Sequence, residues 1–420
     1  MRFDTIIIGG GLSSLVCGIR LQDRGQKCLI VSAGQNALHF SSGAFGLLGR
    51  LPDGTVVGEP LTAIGMLPED HPYSKIGTER IEAYCKEVPG FFSSCGIDLH
   101  PAFTECDVPR NGFRITPLGT LKPAWLAMKD TELLKSREES LGKKALIVNF
   151  AGFLDFNTRF IAEGLEKIGT ECRIEILKIK DVENLRKNPS EMRSVGIARV
   201  MSREENWKSV GNQVREMISG EDLVILPEVF GLDDAVITDW LKEMIPAKTL
   251  FIGTMPPSVP GIRAQMRLKK TFEKKGGMFL AGDTALGPVF EGSHVASVRT
   301  ANLGLLPLEA DNFVLASGNL FGKGIDVVPG TVREPVFGLD TVCPAEMNDW
   351  CDKDFYAKQN YAGFGVATDK MMRALKGGEV IGNLFVAGSE VAGCNSLQEG
   401  SGAGVAIMTA LYVADNILSD

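Results

Sequence analysis

Phe3-Asp4-Thr5-Ile6-Ile7-Ile8-Gly9-Gly10-Gly11-Leu12-Ser13-Ser14-Leu15-Val16-Cys17-Gly18-Ile19 is the stretch whose reading decides the fold. A short β-branched run that stops at glycines reads as a strand buried on both faces. Beyond the glycines, Leu12, Leu15, Val16 and Ile19 recur at helical spacing through Arg24, and Gly25 ends the helix. Lys27-Cys28-Leu29-Ile30-Val31 follows as a second strand. Strand, helix and strand within about 30 residues have the size of one βαβ unit, whose right-handed crossover makes the strands parallel neighbours.

The turn between the first strand and the helix carries the chemistry. Gly9 and Gly11 fill the first two positions of Gly-x-Gly-x-x-Gly, and Ser14 stands at the third, with Gly18 four residues on. The first glycine permits the turn, the second lets a phosphate approach the backbone, and the third lets the helix lie close to the strand, for which serine is small enough. A helix N-terminus adds free N–H donors and partial positive charge. A glycine triplet can also be an empty turn, but strand, glycines, amphipathic helix and strand in this order favour a phosphate site built by Gly9, Gly10, Gly11, Leu12 and Ser14. Dinucleotide folds usually end the second strand on a carboxylate that holds the adenosine ribose. Here that strand ends Val31-Ser32-Ala33-Gly34, leaving Ser32 or backbone groups for the task. A flavin without an adenosine half does not need that carboxylate, so FMN is expected rather than FAD.

Far along the chain, Asn383-Leu384-Phe385-Val386-Ala387-Gly388-Ser389-Glu390 repeats the pattern of an apolar strand running into glycine. Glu399-Gly400-Ser401-Gly402-Ala403-Gly404 then opens an apolar helix from Val405 to Leu418. Gly388, Ser389, Gly400, Gly402, Ala403 and Gly404 are therefore expected around the pyrimidine end of an isoalloxazine, where N–H donors stabilise the charge that builds on reduction. The alternative is a glycine-rich loop packed against a strand.

Between about 116 and 262, Ala145–Val148, Arg173–Leu177 and Leu223–Leu226 read as strands separated by charged helical stretches such as 204–219. The expected fold class is α/β: a Rossmann-type, glutathione-reductase-like flavin-binding domain with an inserted α/β substrate or cap domain. Residues 1–115, 263–330 and 376–420 are assigned to the first, and 116–262 and 331–375 to the second. No internal repeat or low-complexity segment interrupts the pattern.

A formal charge of −8 gives no general field for nucleic acid or an anionic membrane. Nine scattered cysteines without a Cys-x-x-Cys spacing fit a reducing cytoplasm and give this chain no metal or iron–sulfur motif of its own. No window has the roughly 18 consecutive apolar residues of a spanning helix, so a membrane would be met through a partner.

Several runs are more specific than the glycines: Ala37-Leu38-His39-Phe40-Ser41-Ser42-Gly43, Thr116-Pro117-Leu118-Gly119-Thr120-Leu121, Pro256-Pro257-Ser258-Val259 with Gly261-Ile262-Arg263, and Arg333-Glu334-Pro335 with Gly338-Leu339-Asp340. Through these the chain resembles the FAD-dependent oxidoreductase 2 superfamily and, more closely, the B-subunit family of bacterial anaerobic glycerol-3-phosphate dehydrogenases, over nearly its whole length. The resemblance implies noncovalent FMN, an FAD-bearing A subunit and an iron–sulfur C subunit as partners. It also implies oxidation of sn-glycerol 3-phosphate, with electrons passed toward quinone. Electron relay, assembly without catalysis, or an independent FAD-dependent oxidoreductase are the competing readings.

Oxidising an alcohol needs a base, and a phosphorylated substrate needs cations. His39 precedes Ser41-Ser42-Gly43, a run that in related flavin folds passes the ring; it is read as a base, a flavin contact, or a histidine bonded to a backbone carbonyl. Arg263, Arg333, and Arg114 and Lys122, which flank the Thr116–Thr120 run, are each candidate phosphate ligands, the alternative for each, and the commoner one for such residues, being a surface or ion-paired role.

Overall fold

The computed structural model describes residues 1–106 and 108–419 and divides into two units. The first comprises residues 1–37, 46–91 and 268–420, and the second 38–45 and 92–267. The principal strands, in chain order, are β1 (Arg2–Ile8), β2 (Cys28–Ser32), β3 (Gly112–Ile115), β4 (Leu121–Ala124), β5 (Lys144–Phe150), β6 (Glu171–Leu177), β7 (Leu223–Pro227), β8 (Lys248–Ile252), β9 (Met278–Ala281), β10 (Ala285–Glu291), β11 (His294–Thr300), β12 (Leu308–Leu315), β13 (Arg373–Lys376) and β14 (Glu379–Val386). Three helices matter most: α1 (Leu12–Gln22), α2 (Val259–Lys274) and α3 (Gly402–Ser419).

In the first unit, five parallel strands stand in the order β9-β2-β1-β12-β14. Antiparallel β10, β11 and β13 extend the sheet. β1 lies at the centre, so Ile6 and Ile7 are fully buried and the strand needs the continuous apolar run that its sequence provides. α1 buries Leu15, Val16 and Ile19 completely. It ends in a Schellman cap: Gly25 takes φ +85°, its N–H donates to Gln22 O, and the Gln26 N–H donates to Leu21 O. α3 packs along α1 and buries thirteen of its eighteen residues, which accounts for its uniform apolarity. Arg20 near the end of α1 pairs with Asp415 near the end of α3, so the two helices run the same way and begin at the same end.

The second unit holds a fully parallel sheet in the order β8-β7-β5-β6. Counted by chain position this is 4-3-1-2, a doubly wound sheet whose strand order reverses between β5 and β7. The β3–β4 hairpin turns through Thr116–Thr120 and lays Phe113, Ile115 and Leu121 on the core of this unit.

The division differs from the expected one. Residues 331–375 cluster with the first unit because β13 pairs with β14, and the Asp340 carboxylate accepts the N–H groups of Gly377 and Gly378. Residues 38–45 and 92–115 cluster with the second, where Ala44–Phe45 pairs with Leu126–Met128.

Candidate functional site

At the carboxyl end of β1 the three glycines do three different things. Gly9 adopts φ +120°, and a Cβ there would fall 2.0 Å from Ala316 O, so only glycine fits. A Cβ on Gly10 would fall 2.2 Å from Ser32 Oγ. Gly11, the N-cap of α1, is extended with φ −84°, receives no side-chain cap, and has nothing nearer to its Cβ position than Asn36 Cβ at 3.9 Å. Asn36, which no sequence motif marks, donates from Nδ2 to Gly10 O at 2.7 Å and so braces the turn from the side. The first turn of α1 has no acidic residue, which leaves the positive end of the helix uncompensated. A phosphate thus has an open, donor-rich face at Gly11 and half-exposed Leu12.

Ser14 is fully buried and its Oγ has no partner. The close packing expected of the third glycine falls partly to Gly18, whose Cβ would lie 2.7 Å from Phe272 and 3.3 Å from Ile7. At the end of β2, Ser32 is buried and its hydroxyl donates to Gly34 O at 3.2 Å. The carboxylate adjoining that strand end is Asp283, whose N–H donates to Ser32 O. It accepts from Thr300 Oγ1 at 2.5 Å and from the Thr284 and Asn302 N–H groups at 2.9 Å, so its oxygens are occupied within the protein.

The C-terminal glycines fall into two groups. Gly388, at φ +80°, donates to Thr409 Oγ1 at 2.7 Å, and a Cβ there would lie 2.2 Å from Ser13 Oγ, so it locks against the first turn of α1. Gly402 and Ala403 are half-exposed at the start of α3, and Ser389 is half-exposed too. Gly400 and Gly404 are joints instead. Gly400 is left-handed at φ +64°, and Gly46 sits so close that its Cβ would fall 2.1 Å from Gly400 O. Gly404 donates to Gly46 O at 2.8 Å and meets the Tyr73 hydroxyl.

Two buried acids that the sequence did not single out hold this end. Glu399 accepts from His71 Nε2 at 3.2 Å, Ser401 Oγ at 2.8 Å and the Asn395 N–H at 3.0 Å. His71 Nδ1 accepts the Tyr73 N–H, which places the ring proton on Nε2. Glu390 accepts from the Ser317 and Gly318 N–H groups at 2.6 and 3.2 Å and from Ser317 Oγ at 2.9 Å, tying the end of β12 to the end of β14. Burial, followed by the nearby Glu334 carboxylate, pushes the Glu390 carboxyl well above its ordinary range.

The remaining expected residues are divided between the two units. His39, Ser41, Ser42 and Gly43 belong to the second unit. The His39 carbonyl accepts the Ser258 N–H at 2.8 Å and its ring is half-exposed. A Cβ on Gly43 would lie 2.8 Å from Pro260 Cβ, a packing constraint within that unit. Arg263 is not free for a phosphate. It is 2% exposed, ion-paired to Asp130, and donates to Gly231 O at 2.9 Å and Asp234 O at 3.1 Å. Arg333 is exposed on the 326–333 hairpin and pairs with Asp326 at 3.2 Å, a surface contact. Of the four cations considered, only Arg114 and Lys122 keep their donors free of carboxylates among the described residues.

The profile of the FAD binding domain family matches residues 4–405. The B subunit of the anaerobic glycerol-3-phosphate dehydrogenase from Yersinia enterocolitica serotype O:8 is 38% identical over 423 residues, covering 100% of this chain and 99% of that protein. Its counterpart from Pectobacterium carotovorum subsp. carotovorum is also 38% identical, with the same coverage. A solved structure, 3-ketosteroid delta1-dehydrogenase from Sterolibacterium denitrificans, aligns over 100% of this chain and 99% of its own at 12% identity, with a TM-score of 0.45.

Proposed function

The chain belongs to the FAD binding domain family and, within it, to the family of anaerobic glycerol-3-phosphate dehydrogenase B subunits, and on that footing we propose that it is the flavin-bearing B subunit of such a dehydrogenase. It serves the oxidation of sn-glycerol 3-phosphate to dihydroxyacetone phosphate, with an FAD-bearing A subunit and an iron–sulfur C subunit as partners. It works in the cytoplasm and meets the membrane and its quinone through those partners. The observation that carries the flavin reading is the open face at Gly11, on the uncapped N-terminus of α1.

The residues divide the work of holding the cofactor. The N–H groups around Gly11 and Leu12 receive a phosphate, with Gly9 and Gly10 shaping the turn and Ser14 and Gly18 letting α1 lie close. The Gly402 and Ala403 N–H groups, with Ser389, receive the pyrimidine end, while Gly388, Gly400 and Gly404 hold those segments in place. When bound, a flavin supplies two-electron oxidation and one-electron relay. FMN is the form proposed over FAD, because the chain has no carboxylate in residues 32–36 and the Asp283 oxygens are already taken.

The test is the chromophore itself. Protein purified anaerobically and then denatured is expected to release FMN, identified by mass, at about one per chain. Release of FAD alone would overturn the FMN assignment, and a colourless protein would overturn the flavin reading.

A further inference from the structure

The parallel sheet of the second unit has one closed edge and one open edge. At the closed edge, β8 buries Leu250, Phe251 and Ile252 almost completely, and Thr131 adds a parallel bridge at Phe251. At the other edge, β6 pairs with β5 alone among the described residues, in continuous register over its whole length. The Glu171 N–H donates to Lys143 O at 2.9 Å, and the Leu177 carbonyl accepts the Ala151 N–H at 3.2 Å, so the odd-numbered residues face β5. The N–H and C=O groups of Cys172, Ile174 and Ile176 therefore point away from the sheet, where a row of such groups is a template for a further strand.

The side chains of this edge are a second observation. Cys172 Sγ lies 3.9 Å from Ala162 O of the helix Thr158–Glu166, so Cys172, Ile174 and Ile176 share the face that this helix covers. The cover is incomplete: Ile174 is 38% exposed and Ile176 43%, although parallel strands ordinarily bury both faces. Edge strands are usually blunted by proline, lysine or a bulge, and Glu171–Leu177 has none of these. Its opposite face carries one charge of each sign two residues apart, Arg173 and Glu175, paired at 2.6 Å.

We propose that β6 pairs antiparallel with β6 of a second copy of this chain, about a two-fold axis through Ile174. The strand is self-complementary in that register: Ile174 meets its own copy, Cys172 meets Ile176, and Arg173 meets Glu175. Moving the axis one residue back would set Arg173 against Arg173, and one residue forward Glu175 against Glu175, so charge selects the register. In it the outward N–H and C=O groups of Cys172, Ile174 and Ile176 bond across the axis in both directions, and the exposed isoleucines cover one another. Arg173 keeps its bond to Glu221 at 2.7 Å throughout. A different protein would have to supply this pattern of apolar and charged residues, which a second copy already carries.

Sedimentation velocity of the full-length chain between roughly 1 and 100 µM, the range in which an interface of this modest size should self-associate, tests this. The wild-type protein is expected to shift from monomer to dimer. Ile174→Lys opposes two ammonium groups at the axis and should weaken the dimer at least about tenfold. Ile174→Pro removes only an outward N–H, which an edge strand tolerates, and should weaken it similarly. Ile174→Cys in a Cys351→Ser background should oxidise to a disulfide between copies, since opposed residues that exchange hydrogen bonds lie about 5.5 Å apart at Cα. Circular dichroism establishes that each variant is folded, and the cysteine trap decides the matter should the lysine and proline variants not fold. A wild-type chain that stays monomeric, a dimer that survives Ile174→Lys, or a trap that forms no disulfide would overturn the proposal. A monomeric chain whose assembly with another protein is blocked by Ile174→Lys would overturn the second copy as occupant.

Discussion

Gly11→Glu separates the fold of the phosphate turn from its use. Gly11 lies at φ −84° with open space before it, so the backbone tolerates a side chain there. An L-residue at such a φ restricts the unfolded chain and gains about 0.4–1 kcal/mol. Losing glycine from an N-cap for a poor capping residue costs a similar amount, up to about 1 kcal/mol. The two nearly cancel, and Gly11→Ala should unfold within a few degrees of wild type. Glutamate adds a negative charge roughly 5 Å from where a phosphate would sit. At an effective dielectric of about 20 the repulsion is about 3 kcal/mol per unit charge, or roughly a hundredfold in affinity, before any steric exclusion. The assay is flavin per chain by absorbance after anaerobic purification, alongside thermal unfolding. Gly11→Glu should emerge folded and largely colourless. Gly9→Ala, in contrast, meets Ala316 O and a positive φ, and should lose stability whether or not cofactor is present. A folded Gly11→Glu protein carrying full flavin would refute the placement of the phosphate.

Two further outcomes follow from buried or held charges. Arg263→Met leaves Asp130 charged and enclosed without a partner, which should cost about 3–5 kcal/mol in a urea titration, and adding Asp130→Leu should return much of it; a loss below about 1 kcal/mol would show that the pair is solvated. Glu221 is held down to about 2, first by the hydrogen bond from Arg173 Nε at 2.7 Å, so its contribution is complete above the ordinary value of 4.5 and drains away as pH falls toward 2. Glu221→Gln should therefore flatten the acid side of the stability profile, and an unchanged slope between those limits would count against the Arg173 contact.

The first βαβ unit is legible in the sequence because every local signal agrees: a β-branched run for a central strand, glycines at the turn, and Gly25 where the cap needs a positive φ. The strands of the second unit are legible for the same reason, with Leu223–Pro227 buried throughout. Residues 331–375 are not. Their strands are two to four residues long, joined by 3₁₀ turns, and are fixed by side-chain anchors such as Asp340, so no period marks them. Arg263 is misread as a phosphate ligand because the groups that occupy it, Asp130, Gly231 O and Asp234 O, lie tens of residues or more away in the chain and nothing local announces them. Asn36, Glu390 and Glu399 act through partners tens to hundreds of residues away, and nothing local distinguishes them from surface polar residues.

The pairing of β1 with β12 has a consequence for how the molecule is made. Arg2 and Phe3 find their partners at Glu309 and Ala310, so the strand emerges from the ribosome some three hundred residues before its neighbour exists. Through that interval its isoleucines, completely enclosed in the finished protein, have β2 as the one parallel neighbour already translated. The second unit, contained between residues 38 and 267, is fully synthesised in the meantime. The nascent chain is therefore most prone to aggregation at its leading strand, and a chaperone that shields Phe3 to Ile8 during elongation would raise yield more than one acting after release.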